Sequence, residues 1–353
     1  MKKIAFYIDN TGRGGAQRVM CNLVDCFCSK GYEVLFINDF RLDGEKPQYN
    51  VNENAKRIFL QENMADGHCR VRKLRKLLKS ERPEIIVSFM RRPNIRMLLA
   101  ALGLRMKKYV SVRNDPKKEY GKSCAWKLIA NLLFLTASGC VFQTEDAKRY
   151  FWEAIRRKSA VIYNPVDKRF FDIKREARPR DIVTFGRLEP QKNHELLLRA
   201  YAKLADKVPD DLYIYGEGRL REKLEALCRE LNISDRVHLP GNISNVPDVL
   251  SCARLFVLSS DYEGMPNALM EAMAAGVPAI ATDCPCGGPK ELLGDVLPEC
   301  LVPCGDVEAL KEKTEKVLSD EKLRDEWSDA VKSASEAFEP SVVFEQWENY
   351  IVR

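Results

Sequence analysis

The chain has 353 residues, 45% of them hydrophobic and 31% charged, with a formal net charge of +6. That length exceeds what one hydrophobic core usually holds, so two domains are expected. Twelve cysteines with no Cys-x-x-Cys spacing argue against a disulfide scaffold or a tetrahedral zinc site, and read as small apolar residues of a reduced, cytosolic protein.

The chain opens with Met1-Lys2-Lys3 followed by five apolar residues before Asp9, which predicts a strand over Lys3–Ile8 rather than a secretory signal. Gly14-Gly15 leads into a helix over Ala16–Ser29, with Val19, Leu23, Val24 and Phe27 on one face. Strands are expected at Glu33–Ile37, Ile58–Leu60, Ile85–Ser88, Tyr109–Val112, Gly139–Phe142 and Ala160–Tyr163, with helices between them. The longest apolar stretch, Ile129 to Phe142, is broken by Asn131, Thr136, Ser138 and Gly139. A spanning helix needs roughly 20 apolar residues, so no membrane crossing is expected. Tyr163-Asn-Pro-Val-Asp167 is turn chemistry, and the charge-dense segment up to Arg178-Pro179-Arg180 marks a boundary.

The alternation then restarts. Strands are expected at Ile182–Phe185, Leu212–Tyr215, Val237–Leu239, Leu255–Leu258 and Ala279–Ala281. Helices are expected from about Asn193, over Arg219–Leu231, and at Val307–Leu318, Glu321–Ala337 and Val342–Val352. Strand–helix alternation of this kind is an α/β pattern with parallel sheets. Two Rossmann-like domains are inferred: 1–167, then 168–340, with 341–353 a last helix that packs back on the first domain. Such sheets bind ligands at the carboxyl ends of their strands, so a substrate cleft between two facing sheets is expected.

Charge is divided unevenly. Residues 1–180 carry 38 Lys and Arg against 19 Asp and Glu, whereas residues 181–353 carry 19 against 32. The basic excess peaks from Arg70 to Lys127 and favours an anionic partner: nucleic acid, an acidic membrane surface or a phosphorylated ligand. Few aromatic residues interleave that segment, which speaks against base stacking and nucleic acid.

Three stretches carry chemistry. Gly12-Arg-Gly-Gly-Ala-Gln-Arg18 follows the first strand and opens a helix, where glycines admit backbone N–H groups close to a phosphate. Gln17 stands where a dinucleotide fingerprint needs its third glycine, so a plain NAD site is disfavoured, and a glycine turn required only by geometry stays open. Phe185-Gly-Arg-Leu-Glu-Pro-Gln-Lys-Asn193 again follows a strand. Arg187 and Lys192 flank its proline turn and suit a diphosphate, unless both are simply exposed surface cations. Asp261-Tyr-Glu-Gly-Met-Pro-Asn-Ala-Leu-Met-Glu271 holds two glutamates eight positions apart. Gly264 and Pro266 between them predict Glu263 on a loop and Glu271 on a helix starting near Pro266. That geometry grips a hydroxyl-rich ligand; alternatively Glu271 only stabilises the helix dipole and Glu263 is solvated.

Taken together these stretches resemble the retaining glycosyltransferases of family 4, which have the GT-B fold. Glu263 to Asp283, EGMPNALMEAMAAGVPAIATD, is similar to the family's Glu-x7-Glu signature, and FGRLEPQKN, LYIYGEG, VHLPGN, GGAQRV and NPVD resemble its other motifs. The resemblance covers nearly the whole chain. It implies that Gly186, Arg187 and Lys192 hold the donor diphosphate, that Glu271 binds the ribose, and that Glu263 with the backbone of Gly264, Met265, Pro266 and Asn267 holds the donor sugar. It further implies that Asn242 and Ile243 flank the base and that Gly14 and Gly15 approach the phosphates or acceptor. No metal or other cofactor is expected, the nucleotide-sugar being a substrate. Where many members have a histidine after the fifth strand, this chain reads Val110-Ser-Val-Arg-Asn-Asp-Pro116. Arg113 is the nearest equivalent and a candidate catalytic cation, unable to take up a proton; its rival role is a salt bridge to Asp115 or a neighbour. His68, His194 and His238 do not fill that place, and His194 and His238 are expected to pack or cap.

The resulting expectation is transfer of a sugar, first a UDP-sugar, to a hydroxyl of a lipid-diphosphate-linked or polysaccharide acceptor. The setting is bacterial surface-glycan synthesis at the inner face of the cell membrane, with the protein peripheral to an anionic surface and no nucleic acid involved. The alternatives are a Rossmann-type nucleotide-sugar-modifying enzyme and a basic nucleic-acid-binding protein.

Overall fold

The computed structural model describes residues 2–12, 14–42, 49–61, 69–121, 124–176 and 180–353. His68, and Arg178 and Pro179 of the charged boundary, lie outside the described residues. Two compact units emerge: one joins Met1–Asn164 to Val343–Arg353, and the other is Pro165–Val342.

The first unit is built on a seven-stranded sheet. Its strands are β1 Lys3–Ile8, β2 Glu33–Phe40, β3 Lys56–Gln61, β4 Ile85–Phe89, β5 Lys107–Ser111, β6 Gly139–Phe142 and β7 Ser159–Val161. Their order is β3-β2-β1-β4-β5-β6-β7, and every pairing is parallel. The central strands β1 and β4 bury nearly every residue, which is why they read as continuous apolar runs rather than alternating ones. The order reverses between β1 and β4, the topological switch point of such sheets.

Pro340–Val352, the last helix, completes this unit's core. Trp347 is fully buried, with its ring centroid 5.5 Å from that of Phe89. The Tyr350 hydroxyl accepts from the Cys140 amide at 2.9 Å and donates to the Lys158 carbonyl at 2.5 Å. It occupies the space a Cβ at Gly139 would take, only 2.4 Å away. Glu348 pairs with Lys30 and accepts from the Tyr32 hydroxyl at 2.7 Å.

The second unit holds six parallel strands: β8 Arg180–Phe185, β9 Leu212–Tyr215, β10 Val237–Gly241, β11 Ala253–Leu258, β12 Ala279–Thr282 and β13 Leu301–Val302. Their order, β10-β9-β8-β11-β12-β13, repeats the pattern of the first sheet, with its reversal between β8 and β11.

Several details differ from expectation. β5 runs over Lys107–Ser111, and Val112 lies past its end, its amide still donating to Val141 at 3.0 Å. The expected helix to Ala337 ends at Ala334 and tightens into a 3-10 turn over Ser335–Phe338. β13 and the helices Val246–Cys252 and Gly288–Leu293 had no counterpart in the sequence reading. Two residues carry no periodicity, and a helix of six or seven residues is too short to display one. No described helix is long and apolar enough to cross a membrane. The described cysteines are free, and burial pushes the thiols of Cys21, Cys140 and Cys284 up to about 12, so these three behave as apolar side chains.

Candidate active site

Two loops leave the second sheet on either side of its switch point. After β8 the chain passes through Gly186–Glu189, one 3-10 turn over Pro190–Lys192, and Asn193 in left-handed backbone (φ 44°). The Asn193 side chain caps helix His194–Ala202 by accepting from the Leu196 amide at 3.2 Å. After β11 the chain runs through Ser259–Pro266 into helix Asn267–Ala274.

Hydrogen bonds join the two loops. Ser259 Oγ donates to the Lys192 carbonyl at 3.0 Å, the Asp261 amide to Gln191 at 2.9 Å, and Asn193 Nδ2 to Asp261 Oδ1 at 2.7 Å. Glycines permit the close approach of further backbone. Gly216 has φ +140°, and a Cβ there would lie 1.9 Å from the Gly186 carbonyl oxygen. A Cβ on Gly288 would lie 1.8 Å from that of Gly264. Only glycine fits at either place, so the LYIYGEG loop and the start of helix Gly288–Leu293 lock the two loops from outside.

The locked loops hold one ion pair. Lys192 Nζ lies 2.6 Å from Glu263 Oε1, which also accepts from Ser260 Oγ at 2.8 Å. Glu263 is buried, and its backbone is fixed on both sides, donating to Pro285 at 2.7 Å and accepting from Cys286 at 3.1 Å. A buried carboxylate stays ionised only where a cation and hydrogen bonds offset its lost hydration. Lys192 supplies that charge and keeps two of its three N–H donors for another acceptor. Arg187, two residues past Phe185, the β8 position paired with Tyr215, stands exposed at the same loop with no acidic partner among the described residues.

Glu263 therefore lies on the loop and Glu271 on the helix, as Gly264 and Pro266 predict. Pro266 sits just before helix Asn267–Ala274 rather than inside it. Glu271 is buried in that helix, and Met265 is buried beside its start. The helix opens with amides that have no intrahelical acceptor. Asn242 and Ile243 leave β10 in the same sheet, Asn242 exposed and Ile243 half-buried. Neither a solvated Glu263 nor a pair of plain surface cations fits this arrangement, because Glu263 and Lys192 are engaged with each other.

His194 is buried beside Lys192, and both effects push its pKa down to about 4, burial first. It packs as a neutral ring. His238 pairs instead with Asp211 at 2.9 Å, away from these loops.

In the first unit, Gly14 caps helix Gly15–Ser29 with extended backbone (φ −139°), and a Cβ there would meet only the movable end of Gln17. Neither conformation nor packing demands a glycine at 14. Arg113 follows β5 and is 5% exposed. Its guanidinium donates to Asn164 Oδ1, lies 3.4 Å from Ser111 Oγ and stacks over Phe89 at 4.6 Å, while Nε has no partner. The expected alternative, a salt bridge to Asp115, is not formed: Asp115 accepts from the Lys117 amide at 2.8 Å as the cap of a short helix. Burial alone pushes the Arg113 pKa down to about 9. A cation buried against neutral partners costs stability unless an anion arrives.

Ser260, Gln191, Gly216 and Gly288 were not assigned by sequence reasoning. Gln191 and Gly216 lay within quoted motifs; Ser260 and Gly288 had no local signal, since their roles arise from neighbours distant in the chain. Among the described residues no three His, Cys, Asp or Glu side chains group as metal ligands.

Residues 13–170 match the profile described as Glycosyltransferase Family 4, and residues 166–334 match that of Glycosyl transferases group 1. One relative is the GalNAc-alpha-(1->4)-GalNAc-alpha-(1->3)-diNAcBac-PP-undecaprenol alpha-1,4-N-acetyl-D-galactosaminyltransferase of Campylobacter jejuni. It is 28% identical over 98% of this chain and 97% of its own length. The amylovoran biosynthesis glycosyltransferase AmsD of Erwinia amylovora is 23% identical over 99% of this chain and 100% of its own. Among solved structures, Anabaena HepE in complex with UDP superposes with a TM-score of 0.82 at 16% identity, covering 99% of both chains. The lipopolysaccharide outer core galactosyltransferase WaaB does so at 0.78 and 21% identity, also over 99% of both. With two profiles spanning residues 13–334 in tandem, and one parallel sheet under each, the chain belongs to glycosyltransferase family 4 and is a hexosyltransferase-type enzyme of the GT-B fold.

Proposed function

We propose that this enzyme transfers a sugar from a UDP-sugar to a hydroxyl of a lipid-diphosphate-linked glycan, with retained anomeric configuration. The observation that carries the reading is the buried Lys192–Glu263 pair at the switch point of the second sheet. Arg187 and the free donors of Lys192 take the diphosphate and stabilise the charge that develops as it departs, with no metal required. Glu263, already bonded to Lys192 and Ser260, acts as a fixed acceptor for donor-sugar hydroxyls rather than as a mobile base. The backbone amides of Gly264, Met265 and Asn267 face the same sugar, with Pro266 shaping the turn, Glu271 takes the ribose, and Asn242 with Ile243 flanks the base. Gly186 lets the phosphates approach the backbone.

Gly14, Gly15 and Arg113 contribute from the first unit. Arg113 offers its unneutralised charge to the sugar or phosphate, the role a histidine fills in many relatives. The C. jejuni relative acts on an undecaprenol-linked diphosphate glycan, and the basic excess of residues 1–180 suits such an acceptor at an anionic, cytoplasmic membrane face.

A thermal-shift screen against UDP, GDP and their sugars tests this, because a ligand of the native state raises the melting temperature. UDP and one UDP-sugar are expected to give the largest shifts. Glu271→Gln should weaken bare UDP and the UDP-sugar alike, and Glu263→Gln chiefly the UDP-sugar, each by roughly tenfold. Equal losses for both ligands in both variants would remove the division of labour between the glutamates.

A further inference from the structure

Helix Cys124–Leu135 has the sequence CAWKLIANLLFL, with no acidic residue and Lys127 its single cation. One face packs inward. Ala130 and Phe134 are buried, Phe134 stacks on Phe151 at 4.8 Å, and Asn131 Oδ1 accepts from the Trp152 amide at 2.7 Å. The other face is apolar and uncovered: Leu128 is 48% exposed, Ile129 44%, Leu132 51% and Leu135 39%; Trp126, on the open first turn, is 59% exposed, and Trp152, whose amide meets Asn131, 40%. Leu128, Leu132 and Leu135 fall within about 60° around the helix axis, with Ile129 at the margin, so they form a stripe rather than scattered contacts. A helix apolar on all sides is normally buried; this one has half its apolar surface facing out.

The surroundings are cationic. Residues 91–158 carry 16 Lys and Arg against 5 Asp and Glu. Lys158 Nζ bonds the carbonyls of Leu135 and Ala137 at 2.8 and 2.5 Å, and Lys127 lies over the Tyr150 ring at 5.0 Å. A second copy docked symmetrically on this face would bring two such cationic rims together. An anionic lipid surface complements both the apolar stripe and its rim, and tryptophans suit the boundary between headgroups and acyl chains. At 12 residues the helix is about 18 Å long, too short to span.

We infer that helix Cys124–Leu135 is an in-plane membrane anchor, its Leu128–Leu132–Leu135 stripe inserted into the acyl boundary of an anionic lipid surface. The inference rests on the proposed membrane-side acceptor and adds the element that makes the contact.

The test is partitioning of the whole chain onto phosphatidylethanolamine vesicles carrying phosphatidylglycerol, with brominated acyl chains as quenchers. Trp327 and Trp347 are fully buried, so quenching reports Trp126 and Trp152. Wild type is expected to bind and to be quenched. Leu128→Asp with Leu132→Asp should lower partitioning by about tenfold or more, in high salt as well as low, while the UDP thermal shift is kept. Binding without quenching, and unchanged in the double variant, overturns the anchor and leaves an electrostatic membrane association. No binding to any vesicle overturns both, while an intact UDP shift leaves the transferase reading standing. A wild-type dimer in sedimentation that the double variant dissolves assigns the face to a second copy and also overturns the anchor.

Discussion

Lys192 and Arg113 are cations at the carboxyl ends of strands in two sheets that share one strand order, yet they are held in opposite ways. Lys192 is neutralised by Glu263 at 2.6 Å inside a frame of loop-to-loop hydrogen bonds. Arg113 is buried against Asn164, Ser111 and the Phe89 ring, all neutral. The first arrangement holds its charge at little cost and keeps it positioned. The second carries a burial cost that the fold does not offset. A fold optimised for stability alone would place an apolar side chain there. The contrast separates a cation paired within its unit from one that has only neutral partners there.

The largest effect should come from breaking the paired cation. Lys192→Ala leaves Glu263 buried and uncompensated, which costs about 3–5 kcal/mol, and removes the proposed diphosphate contact, expected to cost roughly a thousandfold in rate. Urea unfolding and initial rates would show both losses together. A variant of native stability would mean that Ser260 and Gln191 suffice for Glu263.

Arg113→Met should split what Lys192→Ala joins. Turnover is expected to fall roughly a hundredfold, while the variant gains about 1 kcal/mol or more, because an unpaired buried charge is replaced by an apolar chain of similar length. Loss of stability with unchanged kcat would return Arg113 to a structural role.

The smallest effect concerns His194, packed against the paired cation. Its pKa of about 4 lies below the ordinary 6.5 because burial disfavours the imidazolium. The unfolded chain takes up this proton first as pH falls. Stability is therefore complete above about 6.5 and declines toward about 4, by about 3 kcal/mol in all. His194→Leu should flatten that decline, measured as urea midpoints across this window. An unchanged acid slope would trace it to other groups.

Much of the strand framework was legible from sequence because most central strands are largely buried and show as short apolar runs bounded by charged or turn-forming residues. Lys3–Ile8, Gly139–Phe142 and Leu212–Tyr215 have the predicted bounds. Gly264 and Pro266 likewise separated Glu263 from Glu271 by local backbone rules alone. The apolar stretch from Ile129 onward was legible only as too short to span; that one of its faces is uncovered required the packing of Phe134 and Asn131 against their neighbours.

By itself, then, the sequence determined the α/β alternation, the two loop-to-helix turns and the residue types gathered at them, since these follow from φ preferences and apolar periodicity over a few positions. Only the tertiary structure decided that Lys192 meets Glu263, that Asp115 caps a helix instead of neutralising Arg113, and that Gly216 and Gly288 admit a neighbouring backbone. Those outcomes depend on contacts between residues 24 to 71 or more positions apart, or on which of two neighbours reaches a group first. Charge pairing and close approach are properties of separation in space, and local sequence rules carry no term for it.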